Sequence, residues 1–273
     1  MINTSDPPGG SHAFSQHPSR ARELDRLRQQ VLAAWPMEEL WLKRRGLTDG
    51  MHVLDVGCGP GFVSEKLARL NPTGVTIGLE PDPELARLAG KRFDAIPGLS
   101  LQQGSLAHNH LDESYFDFAY ARFVAQHLAS PQDEMRHVFR LLKPGGQVVL
   151  VDADDGLILV HPEPPELLEV MRLSETIQAE SGGDRWIGRK LPALLTQAGF
   201  ADVGFDVLPF TSHQLGRPAL FDLAWSFRLR RIEQASGADN TLLVEKVRDF
   251  FTNQNWYGVA CVIAAYGVKE CVR

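Results

Sequence analysis

A chain of 273 residues, 44% hydrophobic and 23% charged, is long enough for one large α/β domain with appendages or two small domains, each with a substantial core. A formal charge of −6 without a basic stripe excludes nucleic acid as the expected partner. Only Cys58, Cys261 and Cys271 occur, unpaired and without zinc spacing, and no apolar run reaches the ~20 residues of a membrane span, so a cytoplasmic protein with no metal and no membrane partner is expected.

Residues 1–19 hold Pro7, Pro8, Gly9, Gly10 and Pro18, a composition that predicts a disordered tail and offers no signal-peptide core. From a cap at Ser19, Leu24, Leu27, Val31 and Leu32 recur at helical spacing until Pro36, which predicts a break. A second short helix then carries Met37, Leu40, Trp41 and Leu42 to Gly46. Two basic clusters, Arg20/Arg22/Arg26/Arg28 and Arg228/Arg230/Arg231, are interleaved with apolar or acidic residues at helical spacing and predict solvated helix faces.

Next comes Val53-Leu54-Asp55-Val56-Gly57-Cys58-Gly59-Pro60-Gly61, followed by the helical pattern of Phe62, Val63, Leu67, Ala68 and Leu70. This predicts a strand, a glycine turn and a helix whose N-terminus lies open to a ligand. Further strands are predicted over 74–80, 99–104, 116–121 and 147–152, with helices over 83–93 and 132–142 between them. Such alternation implies a parallel, doubly wound sheet with its ligand beyond the carboxyl ends of the strands. After Gly156 a proline-rich stretch and the pattern of Leu167, Leu168, Val170, Met171 and Leu173 predict a helical insertion. A helix over 188–200, a strand over 201–211, helices over 218–235 and 240–253 and a last strand over 258–266 complete the chain.

The glycine turn does not have the G-x-G-x-x-G spacing of dinucleotide sites, because Gly61 comes one place early. Asp55, two residues before the first glycine, would repel a pyrophosphate and favour a cationic ligand. Glu80 ends the second predicted strand, where a carboxylate accepts from vicinal ribose hydroxyls. Residues Asp55 to Gly61 resemble the first motif of the class I S-adenosylmethionine-dependent methyltransferases, and Leu141-Leu142-Lys143-Pro144-Gly145-Gly146 resembles that family's turn before its fifth strand.

The resemblance implies an α/β, doubly wound, Rossmann-like fold with seven mostly parallel strands, the last antiparallel beside the fifth, plus helical lid insertions. It divides the chain into the tail, an N-terminal helical lid over 20–46, a cofactor-binding core over 47–155, a helical insertion over 156–187 and the remaining core over 188–273, with a second lid at 218–253. S-adenosyl-L-methionine is the implied cofactor, bound by Asp55, Gly57, Cys58, Gly59, Gly61, Glu80, Pro81, Gly104, Ser105, Leu106 and the Arg122 backbone. Where the family usually has Gly-Asp against the adenine amine, this chain has Gly104-Ser105, a weaker acceptor.

The implied activity is transfer of a methyl group to a small-molecule acceptor, in secondary metabolism. A proton acceptor would come from His127, Asp152 or Asp154, with Asp155, His161 and Tyr257 also within the expected region, and at least one of the three aspartates facing the pocket mouth. Trp186, Phe221, Trp225 and Trp256 would suit a planar or apolar acceptor. O-, N- and C-methylation remain open at this stage, as does the oligomeric state, a homodimer among the options. Two other readings stand beside this one: an NAD(P)-dependent oxidoreductase, and a binding or scaffold protein that carries the same cofactor without transferring its methyl.

Overall fold

The computed structural model describes residues 20–235 and 238–271, so the expected tail over 1–19 and its cap at Ser19 lie outside the described residues. Helix α1 (Arg20–Arg44) leads into β1 (His52–Val56), α2 (Phe62–Leu70), β2 (Val75–Glu80), α3 (Pro83–Phe93) and β3 (Leu99–Gln103). Then follow β4 (Phe116–Arg122), α4 (Pro131–Leu141), β5 (Leu142–His161), α5 (Leu167–Glu180), α6 (Leu191–Ala198) and β6 (Ala201–Thr211). The short helices α7 (Ser212–Leu215) and α8 (Arg217–Phe221), a wider helical turn over Asp222–Ser226, α9 (Phe227–Gln234), α10 (Ala238–Asn253) and β7 (Tyr257–Val268) finish the chain.

The sheet order is β3-β2-β1-β4-β5-β7-β6. Strands β3 to β5 pair in parallel, while β7 runs antiparallel between β5 and β6. Both faces are covered, which is why the central strands read as continuous apolar runs. Alternation then sorts their side chains: Val149 and Val151 of β5 pack with α1 and the 217–253 helices, whereas Val148 and Leu150 pack with α4 and α6.

Five expectations change. Helix α1 continues through Pro36. An internal proline costs about 3 kcal/mol, and here buried Val31, Ala34, Trp35, Trp41 and Leu42 on both sides of it hold the helix on the sheet. Strand β5 does not end at residue 152 but runs to His161, because a bulge between Ala153 and Ile158 absorbs Asp154 to Leu157 and lets pairing with β7 resume. The expected insertion over 156–187 is therefore strand first and helix second. The basic clusters are not simply solvated: Arg228 is buried, and Arg26 folds onto Glu23, itself fully buried. Finally, Phe221, Trp225 and Trp256 gather around Phe251, with ring centroids 5.2, 5.4 and 5.0 Å away, and form the interior of the packing between the 217–253 helices and β7 rather than a pocket wall.

Candidate active site

The turn after β1 places Gly57, Gly59 and Gly61 at φ of 64, 56 and 82°, values that L side chains adopt only with strain. A Cβ on Gly57 would meet Val124 Cγ2 at 2.7 Å, and one on Gly61 would collide with the Phe93 ring. At Gly59 the same atom would project into open space, with nothing within 4 Å. Sterics therefore demand glycine at 57 and 61, while Gly59 leaves bare backbone against a cavity.

That cavity measures about 740 Å³ and lies past the carboxyl ends of β1 and β4, the neighbouring strands at which the strand order reverses. Asp55, Gly57, Cys58, Gly59, Glu80 and Pro81 line it, as do Gly104, Ser105, Leu106 and Arg122. Gly61 does not; it starts α2. Leu27 and Val31 of α1, together with Leu223, Ala224 and Phe227 of the helical segment over 217–234, line the same cavity.

Glu80 is buried, and its carboxylate accepts from Gly59 N at 2.8 Å and Asp82 N at 2.9 Å. Asp82 in turn caps α3 by accepting from Glu84 N and Leu85 N. Asp55 accepts from Ser64 Oγ at 2.5 Å. Burial, together with the nearby Glu80 carboxylate and against the Ser64 hydrogen bond, pushes its pKa up to about 7. Burial also pushes the Cys58 thiol up, so it lines the wall as a neutral small group. The Ser105 hydroxyl accepts from His108 N at 3.1 Å. Glu134 of α4 lines the cavity with His108, and its buried Oε2 has no hydrogen-bond partner.

Arg122 does not reach out from β4 with its side chain. Its Nε donates to both oxygens of Glu38, at 2.9 and 3.0 Å, and the Tyr120 hydroxyl donates to the same carboxylate at 3.2 Å, locking α1 onto the sheet. The next residue, Phe123, sits at φ 56° and lines the cavity. A non-glycine residue held there signals a locally strained turn at the site.

The three aspartates after residue 151 separate. Asp152 is off the cavity wall, accepting from Gln126 N at 3.1 Å and Ala153 N at 2.8 Å. Asp154 lines the cavity but is gripped by Arg189, whose Nη2 lies 2.6 Å from Oδ1. Asp155 binds Arg185 and Arg228; burial pushes its carboxyl up, but these two guanidiniums hold it below the usual carboxylate range. His127 lines the cavity, its Nδ1 3.3 Å from Gln178 Nε2. Gln178 Oε1 already accepts from Arg231, so Nε2 is the donor and His127 in its neutral form carries the proton on Nε2. Tyr257 and His161 lie exposed at the far end of the β5/β7 ladder, and Trp186 packs under Arg189, 4.5 Å from its guanidinium.

Arg185, Arg228, Gln126 and Phe210 also line the cavity, yet no motif marks them. They arrive from the α5–α6 connection, α9, the turn before α4 and β6. The spacing of Arg228 among apolar residues was compatible with a helix face, but which face it occupies depends on the partner helix.

Asp152 carries a testable electrostatic signature. Burial raises its pKa to about 7, against the pull of the Gln126 and Ala153 N–H groups. A group whose folded pKa lies above its unfolded value of ~3.8 keeps its proton longer in the folded chain, so stability falls as pH rises from about 4 to about 7 and then levels off. Asp152→Asn should remove up to about 1.4 kcal/mol per pH unit of that slope. Urea unfolding of both proteins from pH 5 to 8 measures it; parallel stability curves would show that Asp152 is ionised throughout.

Residues 54–150 match the family model of a methyltransferase domain. An uncharacterized 37.1 kDa protein in a transposon of Streptomyces fradiae is 31% identical over 198 residues, covering 71% of this chain and 55% of that protein. An uncharacterized methyltransferase of Mycobacterium tuberculosis is 35% identical over 114 residues, 41% of this chain and 43% of its own. The chain thus spans about half the length of the curated relatives it matches. Among solved structures, phosphoethanolamine N-methyltransferase 2 of Haemonchus contortus, in complex with S-adenosyl-L-methionine, shares the fold at a TM-score of 0.60 and 15% identity, covering 95% of this chain and 60% of that one.

Proposed function

Because this chain belongs to the class I S-adenosylmethionine-dependent methyltransferases, whose cofactor is S-adenosyl-L-methionine, we propose that it transfers the cofactor's methyl group to a small molecule held inside the cavity. The observation that carries this reading is the pairing of bare backbone at Gly59 with the Glu80 carboxylate, 2.8 Å from Gly59 N, on the wall of one cavity. Backbone without a Cβ lets a ligand lie close, and a strand-end carboxylate suits a ribose diol. Asp55, buried and strained as an anion, gains a counter-charge from a cationic ligand. On the adenine side, Glu134 supplies the acceptor that Ser105 offers only weakly. Pro81, Gly104, Leu106, Cys58 and the Arg122 backbone complete the assigned cofactor contacts.

When bound there, the cofactor supplies an electrophilic sulfonium methyl, so the protein's task is alignment and exclusion of water. Helix α1 and the 217–234 segment cover the cavity and favour a small acceptor over a macromolecule. Of the side chains assigned to the proton, Asp154 is committed to Arg189 and Asp152 to backbone N–H groups, so both act as positioning residues. His127 lines the cavity and, with its proton on Nε2, is assigned to orient the nucleophile as a hydrogen-bond donor. That role suits an acceptor that needs no strong base. No described helix is long and apolar enough to cross a membrane; with the acidic net charge, this supports a cytoplasmic enzyme with no nucleic-acid partner.

Calorimetry with S-adenosylmethionine, S-adenosylhomocysteine, NAD and NADP tests the cofactor, and release of S-adenosylhomocysteine across a panel of acceptors tests the transfer. Tight binding of a nicotinamide cofactor with none of the sulfonium would overturn the reading.

A further inference from the structure

On the β5 side of the cavity, away from the glycine turn, positive charge exceeds negative. Arg185 and Arg228 have side chains only 5% and 4% exposed, and both bind the one carboxylate of Asp155. Arg231, further along α9, ends on the neutral Gln178 Oε1, Ile177 carbonyl and Ser181 hydroxyl. The other carboxylates nearby offset little of this: Asp154 pairs with Arg189 and Asp184 with Lys190, while Asp152, though attracted by Arg185, is held by the backbone of Gln126 and Ala153 and kept part-protonated by burial, which pushes its pKa up to about 7.

Among the described residues, then, two buried guanidiniums at the cavity wall share the one carboxylate of Asp155 while a third behind them has neutral partners, and burying a cation without its counter-charge is costly. The strain is visible at Arg228, where Nε is buried without a hydrogen-bond partner and burial beside Arg185, against the pull of Asp155, pushes the pKa down to about 10. Arg185 and Arg228 both line the cavity, and beside them its wall is apolar: Ile158, Phe210, Leu223, Ala224, Ala260 and Val262.

We propose that the acceptor is an apolar carboxylic acid, its carboxylate held by Arg185 and Arg228 and its body laid on that apolar wall. The inference rests on the reading that the acceptor enters this cavity. A single negative charge matches the one surplus guanidinium at the wall, and a planar carboxylate matches the guanidinium fork. A phosphate shares the anionic chemistry but would bring more charge than that surplus offsets.

The test is calorimetry on the full chain saturated with S-adenosylhomocysteine, using 4-phenylbutanoate, its neutral amide 4-phenylbutanamide, and inorganic phosphate. The acid should bind at least about tenfold more tightly than the amide, as charge-assisted hydrogen bonds require, and more tightly than phosphate. Arg228→Gln leaves Asp155 with Arg185 as a neutral buried pair, so the variant should fold and keep its affinity for S-adenosylhomocysteine while the acid loses most of its advantage over the amide. Should that variant not fold, the acid-against-amide difference in the unmodified chain decides by itself. Equal binding of acid and amide, or an undiminished acid preference in Arg228→Gln, would overturn the proposal, and phosphate binding as tightly as the acid would overturn the apolar body. Retained S-adenosylhomocysteine binding without acid preference refutes this inference alone. Acid preference without S-adenosylhomocysteine binding refutes the methyltransferase reading and leaves the carboxylate site standing as a binding site but not as an acceptor site, and loss of both refutes both.

Discussion

Asp155→Asn is expected to lower the free energy of unfolding by about 3–5 kcal/mol, the range for removing one partner of a buried ion pair. Asp155 is buried, and the Nε and Nη2 of Arg185 and the Nη2 of Arg228 all converge on its carboxylate. An asparagine keeps the shape and one acceptor oxygen but leaves two guanidiniums facing each other without a counter-charge. Adding Arg228→Gln should restore part of the loss, because the two sites are coupled and one of the stranded cations is gone. Urea denaturation of the parent, Asp155→Asn and the double variant measures this. A loss below about 1 kcal/mol for Asp155→Asn would mean that water or a neighbouring acid already screens the pair.

The second large effect concerns Glu80. Two charge-assisted hydrogen bonds to a ribose are worth about 1.5–3 kcal/mol each before losses to water, so Glu80→Ala should weaken cofactor binding by on the order of 2–4 kcal/mol, roughly 30- to 1,000-fold. The carboxylate also holds Gly59 N and Asp82 N, and part of the effect could come from a loosened turn. Glu80→Gln separates the two: it keeps one acceptor for the turn and loses the charge, so its affinity should fall between the parent and alanine variants while its unfolding midpoint stays near the parent's. Unchanged calorimetric affinity in a folded Glu80→Ala protein would remove Glu80 from the cofactor site.

The features legible in the sequence are those set by local physics. The strand, glycine turn and helix from Val53 to Leu70 follow from β-branched residues, three glycines that now carry positive φ, and a 3.6-residue apolar period. The Asp82 cap of α3 is equally local, since capping needs only its own next three residues. The parallel core followed from strict alternation of strand and helix. From the same signals the chain could be placed among class I methyltransferases with S-adenosyl-L-methionine as cofactor.

What tertiary structure alone decided is wherever a residue's environment comes from chain far away. Pro36 signals a helix break in any local reading, yet burial of Trp35 and Trp41 on the sheet outweighs the missing hydrogen bond. Asp152, Asp154 and Asp155 are near neighbours of one chemical type, and the β5 bulge sends one to backbone amides, one to Arg189 and one to Arg185 and Arg228. Arg228 reads like any charge on an amphipathic helix until the packing of α9 against α5 and β5 turns it inward. Sequence periodicity tells which residues share a face; only the folded chain determines what that face meets, and the end of the cavity lined by Arg185 and Arg228 is assembled entirely from such meetings.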